Sequence, residues 1–222
     1  MAVLLSLGVA IYMMGMFRLE SIAMTAIAPS KIRFLQSATQ PAWVEQATHN
    51  LNEVLLDHSH CERKAAGVAL NMMFRYPADA PLLKALTAIA QEELEHFEQV
   101  NRILESRGVK LRPLQLAPYG AGLKAQIRRQ EPERKLDAML VAALIEARSH
   151  ERLGLLAEHC GDPELSKFYR ALMASEARHY AAYWLLAVDS YPRSVVDRRL
   201  NELATVESEL LATLHPAPRV HS

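Results

Sequence analysis

Two copies of one short pattern, Glu-x-x-His, constrain this chain more than any other feature. "EELEH" carries Glu93 and His96, and "SEARH" carries Glu176 and His179. Each pair interrupts an apolar seam. Leu82, Leu86, Ile89, Glu93, His96, Val100 and Ile103 follow one another at alternating threes and fours, as do Leu165, Tyr169, Leu172, Glu176, His179 and Tyr183. That spacing turns one side of a helix toward a bundle core. A buried carboxylate without a partner is expensive, so the fold must bring something to each of these glutamates. Glu92, Glu95 and Glu98 fall on other faces and are expected to be solvated or paired at the surface.

Glycine is scarce, at 8 of 222 residues, and threes and fours dominate the apolar spacing, so the chain reads as mostly helical. "YPADAP" separates helical stretches over 42–75 and 81–106, and "CGDPE" separates two more over 134–159 and 163–189. "YPR" precedes an amphipathic helix over 193–214, and the tail "HPAPRVHS" is expected to be disordered. Two hairpins joined by one long connection, 107–133, have the connectivity of a ferritin-like four-helix bundle. The expected fold is therefore all-α: such a bundle over 36–191, an apolar N-terminal extension over 1–35, and a C-terminal helix and tail over 192–222.

Residues level with one another in an antiparallel hairpin lie equally far from its turn. Across "YPADAP" the partner of Glu93 is Glu62, and across "CGDPE" the partner of Glu176 is Glu146. Both sit on seams of their own, with Leu55, His58 and Ala69 around Glu62 and with Met139, Ala143 and Leu153 around Glu146. Glu62, Glu93, His96, Glu146, Glu176 and His179 thus form the ligand set of a carboxylate-bridged two-metal site. Oxygen and imidazole donors suit iron or manganese, and the lack of thiolates argues against a structural zinc or iron–sulfur site. Glu151 competes with Glu146, because "ARSHER" resembles "HSHCER" and would align it with Glu62. The alternative to a metal is a set of core salt bridges to Arg63, Arg148 and Arg178. His58 and His150 read as core or supporting histidines, and Tyr180 and Tyr183 as core.

Lysine plus arginine number 25, as do aspartate plus glutamate, so no global field points to nucleic acid or membrane. The crossover is locally basic. It carries Arg107, Lys110, Arg112, Lys124, Arg128, Arg129, Arg134 and Lys135 against Glu131 and Glu133, and the stretch with Lys124, Arg128, Arg129, Arg134 and Lys135 is a candidate RNA-phosphate surface. Two cysteines, Cys61 and Cys160, make no disulfide framework and favour a reducing cytoplasm. The apolar stretch over 1–17 lacks the basic flank of a secretory signal and is short for a membrane span of about 20 residues. It reads as an extension, with Met16 or Met24 as alternative starts and no stable membrane association.

Over Trp43 to Tyr191, "LLDHSHCERKAAGVAL", "AQEELEHFEQVNRILESRGVKLRPL", "PYGAGL", "IEARSHERLGLLAEH" and "FYRALMASEARHYAAY" closely resemble the bacterial tRNA hydroxylase family that acts on 2-methylthio-N6-isopentenyladenosine beside the anticodon. The resemblance implies a di-iron monooxygenase that uses dioxygen and electrons from a reductase. It makes the six residues above iron ligands, with Glu93 and Glu176 as bridges. The chain departs from that pattern in its N-terminal extension and after Tyr191. The rival readings are another ferritin-like di-iron oxidase or peroxidase and an iron-binding or storage bundle. A rubrerythrin-like peroxidase would bring paired Cys-x-x-Cys motifs, which this sequence lacks.

Overall fold

The computed structural model describes residues 32–115 and 117–221. Most of the N-terminal extension, with Met16 and Met24, lies outside the described residues. Seven helices follow in order: α1 Pro41–His49, α2 Leu51–Arg75, α3 Ala80–Ser106, α4 Tyr119–Ala125, α5 Glu133–His159, α6 Pro163–Ser190 and α7 Arg193–Leu210. No strand occurs among the described residues, and no described helix is long and apolar enough to cross a membrane.

The turns are built by local chemistry. Asp79 accepts from the Leu82 N–H at 3.1 Å to start α3, and Asp162 accepts from the Glu164 and Leu165 N–H groups to start α6. Gly161 follows α5 at φ 68°, a left-handed backbone that glycine adopts without penalty. These turns fold α2 onto α3 and α5 onto α6, and the crossover joins the two hairpins.

The single helix expected over 42–75 is broken at Asn50 (φ −132°, ψ 40°), which redirects α1 onto α5. The expected last helix ends at Leu210 rather than 214, and the long connection between the hairpins contains the short helix α4.

Two apolar layers fill the bundle. One contains Ala69, Leu82, Leu86, Ile89, Leu140, Ala143 and Tyr183. The other contains Leu55, Val100, Leu104, Leu153, Leu156, Leu165, Tyr169 and Leu172. On each of the four long helices the sequence between these layers holds a predicted metal-ligating residue. The apolar residues thereby isolate a central polar layer from water at both ends.

The tail corrects the expectation of disorder, since Arg219, Val220 and His221 are all buried. Trp43 Nε1 donates to the Arg219 carbonyl at 2.9 Å, the Val220 N–H donates to Asp57 at 2.8 Å, and Arg152 donates to the Val220 carbonyl at 2.5 Å. The His221 ring stacks on Tyr119 at 4.9 Å. Composition alone suggested a loose end, but buried Asp57 and Arg152 need polar partners and the tail backbone supplies them. Truncation after Pro218 is expected to cost about 2 kcal/mol by removing the donor to Asp57, lowering the melting temperature by roughly 5 °C. A thermal melt of the truncated chain checks this.

Candidate metal centre

Glu62 on α2, Glu93 and His96 on α3, Glu146 on α5, and Glu176 and His179 on α6 are all buried. They form two overlapping groups. Glu62, Glu93, His96 and Glu176 make one, and Glu93, Glu146, Glu176 and His179 the other, with the potential ligand atoms of each group within 4.8 Å of one another. Glu93 and Glu176 belong to both, while each group has one glutamate and one histidine of its own.

Both histidines turn Nδ1 inward. His96 Nδ1 lies 3.5 Å from Glu62, 3.8 Å from Glu93 and 4.0 Å from Glu176, and His179 Nδ1 lies 2.8 Å from Glu93 Oε1. Yet Glu93 Oε1 and both Nδ1 atoms are buried without a well-directed hydrogen bond. Buried polar atoms in that state call for a further partner, and a cation bound by oxygen and imidazole fits this donor set. Cys61 and Cys160 belong to neither group.

The outer ring nitrogens are held from behind. His179 Nε2 lies 3.0 Å from Glu92 Oε2, and His96 Nε2 lies 3.2 Å from Ser175 Oγ. His58 Nε2 pairs with Glu62, whereas His150 Nδ1 meets the Met173 carbonyl at 2.8 Å. Tyr183 is fully buried, and Tyr180 packs edge-on against Phe34 at 5.3 Å. Sequence reasoning missed Glu92 and Ser175 as supports, because both contacts cross from α3 to α6 and no periodicity within one helix reports them.

Glu151 lies elsewhere: it accepts from Thr39 Oγ1 at 2.7 Å and pairs with Arg148. The arginines considered as salt-bridge partners are also committed away from the six residues. Arg148 bonds Glu207 and Glu151, Arg178 bonds Glu92, and Arg63 donates to His60.

Four carboxyl groups in a dry layer repel. Burial, together with the charges of Glu146 and Glu62, lifts Glu93 to about 8. Burial and the neighbouring carboxylates push Glu176 well above the ordinary range, and burial raises Glu146. Burial opposes charge on His96, but the Glu62 and Glu93 carboxylates beside its ring lift it to about 10, and Glu93 raises His179 likewise. Burial would raise Glu62 too, yet the charge of His58 and the contacts with Glu93, His58 and His96 hold it well below.

These directions fix the contribution of the six residues to the pH dependence of the metal-free protein, which buried His221, held well below its ordinary value by burial, opposes as pH rises toward the ordinary histidine range. Glu93, Glu146, Glu176, His96 and His179 keep protons to higher pH when folded, so their contribution is complete below the unfolded values and lost as pH rises through the folded ones. Glu62 has the opposite sense, its contribution being lost only as pH falls below the ordinary carboxylate range. Metal-free protein is therefore expected to melt at least ~5 °C lower at about pH 8 than at about pH 5, a dependence that bound metal removes. Melts in chelator across that window check it, and a rising melting temperature contradicts it.

The basic crossover is less free than its composition suggests. Arg128 makes ion-paired hydrogen bonds to buried Asp137 at 2.7 and 2.8 Å, with Arg199 on the same carboxylate, and Lys135 pairs with Asp79. Lys124 and Arg129 are exposed, and Arg134 is half-buried.

Comparison with known proteins agrees with this geometry. A tRNA 2-(methylsulfanyl)-N(6)-isopentenyladenosine(37) hydroxylase of Pseudomonas putida is 38% identical over 197 residues, covering 89% of this chain and 96% of its own. The Salmonella typhimurium protein of the same name is 28% identical over 240 residues, covering 86% of this chain and 88% of its own. A solved structure described as Protein 43 with aldehyde deformylating oxygenase activity, from Synechococcus, is 52% identical with a TM-score of 0.84, covering 86% of this chain and 96% of its own. The family model for tRNA-(MS[2]IO[6]A)-hydroxylase (MiaE) matches residues 26–222. That span includes the final helix and tail, so the expected departure after Tyr191 does not occur. By that match and by the relative in Pseudomonas putida, the chain belongs to the tRNA-(MS[2]IO[6]A)-hydroxylase family.

Proposed function

We propose that this chain is a dioxygen-dependent tRNA hydroxylase, with two iron ions held by Glu62, Glu93, His96, Glu146, Glu176 and His179. Its substrate would be the isopentenyl side chain of 2-methylthio-N6-isopentenyladenosine next to the anticodon. The observation that carries this reading is the sharing of Glu93 and Glu176 between two ligand groups in one buried layer. A site of that form holds two cations next to one another.

When bound, the iron pair supplies the electrons that reduce dioxygen, so that one oxygen atom enters a C–H bond and the other leaves as water after an external reductant completes the count. The chain's own residues do the rest. Glu93 and Glu176 span both positions, and His96 and His179 fix each from one side. The apolar layers around Leu86 and Ile89, and around Leu55 and Leu172, keep water from the reacting centre. Phosphate contact falls to Lys124 and Arg129, and to Arg134 at the edge, because Arg128 and Lys135 serve Asp137 and Asp79.

A strain lacking this protein is expected to accumulate tRNA with the unhydroxylated nucleoside, and wild-type protein to restore the hydroxyl group. Nucleoside mass spectrometry of bulk tRNA checks it. Hydroxylated nucleoside persisting at wild-type level in the deletion strain would overturn the proposal.

The resemblance to a protein with aldehyde deformylating oxygenase activity supports a second reading, oxygen-dependent deformylation of an aldehyde at the same metal pair. The two readings share every ligand and differ in substrate. Turnover of an aldehyde by the iron-loaded protein, with no change in modified tRNA, would favour the second.

A further inference from the structure

The two ligand groups are alike in their inner donors and unlike in what stands behind them. Glu92 Oε2 lies 3.0 Å from His179 Nε2 and accepts from Arg178 Nη2 at 2.8 Å. Behind His96 the partner is the neutral hydroxyl of Ser175, which already donates to the Leu172 carbonyl at 2.7 Å and so can only accept from the ring. A carboxylate behind a ligating imidazole fixes its tautomer and strengthens it as a donor, whereas a hydroxyl orients without adding charge. The terminal glutamates differ in the same sense. Glu62 is engaged by His58, which draws on its charge, and no histidine or arginine bond to Glu146 occurs among the described residues.

We propose that Glu92 is a positioning residue that makes the two metal positions unequal, so that the position served by His179 and Glu146 holds its cation more tightly than that served by His96 and Glu62. The inference rests on the dinuclear reading above. It implies that limited ferrous iron fills the His179 position first, and that the His96 position exchanges its ion more readily.

The test is an anaerobic titration of metal-free protein with ferrous iron, with bound iron read by equilibrium dialysis and Mössbauer spectroscopy of iron-57. Wild-type protein is expected to bind in two separable steps, with Glu146→Gln removing the tighter and Glu62→Gln the weaker. Glu92→Ala should weaken the tighter step by roughly 10- to 100-fold while leaving the weaker one in place. Glu92→Gln, which keeps an acceptor without its charge, should fall between, and Ser175→Ala should affect only the weaker step, and less. A structural defect would instead shift the melting temperature of metal-free Glu92→Gln, which keeps an acceptor for His179 Nε2 and is expected to match wild type. Equal weakening of both steps, an unchanged tighter step in Glu92→Ala, or a single step in wild type would overturn the proposal. Absence of any ferrous iron binding by wild type would overturn the dinuclear reading itself.

Discussion

Glu93→Ala is expected to lower tRNA hydroxylation by more than about 100-fold, with bound iron falling from two ions to one or fewer per chain. Loss of a group that merely supports a ligand costs up to about 100-fold, and Glu93 lies in both ligand groups, so its removal should exceed that figure. The protein should nonetheless fold. In the metal-free state Glu93 is a liability, its carboxyl driven to about 8 by burial and by Glu146 and Glu62. Removing it relieves repulsion, and metal-free Glu93→Ala is expected to melt at or above wild type at about pH 8. Stability given up for a functional arrangement in this way is the usual sign of a site rather than of a core. Iron analysis, turnover and a melt on the same preparation check the three parts together. Full iron content in Glu93→Ala would refute its assignment as a shared ligand.

The second large effect is of the opposite kind. Arg148 is fully buried and donates to Glu207 at 2.8 and 2.9 Å, to the Ser37 carbonyl at 2.9 Å and to Thr39 at 3.2 Å, and it also pairs with Glu151. Glu207 is equally buried, with Tyr119 as a further donor at 3.1 Å. This network fastens α7 and the segment before α1 to α5. Arg148→Ala leaves a buried carboxylate with one neutral donor, and breaking such a pair typically costs about 3–5 kcal/mol. A fall in melting temperature of roughly 10 °C is expected, with iron content per folded chain unchanged. Replacing both partners, as Arg148→Met with Glu207→Leu, should recover part of the loss, because the Glu207 charge is then no longer stranded, while Glu151 still loses Arg148. Denaturant unfolding of the single and double variants checks this, and a single-variant loss below about 1 kcal/mol would contradict it.

How much of this was legible depended on whether the signal ran within one helix or between helices. Both Glu-x-x-His seams lie as their spacing implied, with Leu82, Leu86, Glu93, His96 and Val100 buried on α3 and Leu165, Tyr169, Glu176, His179 and Tyr183 on α6. Glu146 and Glu151 are five residues apart, about 140° around a helix, so only one can face the core. The hairpin register favoured Glu146, which sits in a ligand group, while Glu151 faces Thr39 and Arg148. Contacts made by distant segments left no periodic trace. Glu92 reads as a surface glutamate until α6 brings His179 beside it. Residues 215–222 read as disordered because proline, arginine and histidine in a terminal stretch usually are. Residues 219–221 are instead held by Asp57, Arg152, Trp43 and Tyr119, none of which is local. Arg128 and Lys135 contributed to a basic patch by composition, whereas in three dimensions they neutralise Asp137 and Asp79.

The most direct test of the central claim is mass spectrometry of nucleosides from isopentenylated tRNA after incubation with iron-loaded protein, a reductant and oxygen-18 gas. One labelled oxygen atom is expected on the side chain of the modified adenosine, absent in Glu93→Ala. An unlabelled nucleoside, formed with both metal positions filled and dioxygen consumed, would contradict it.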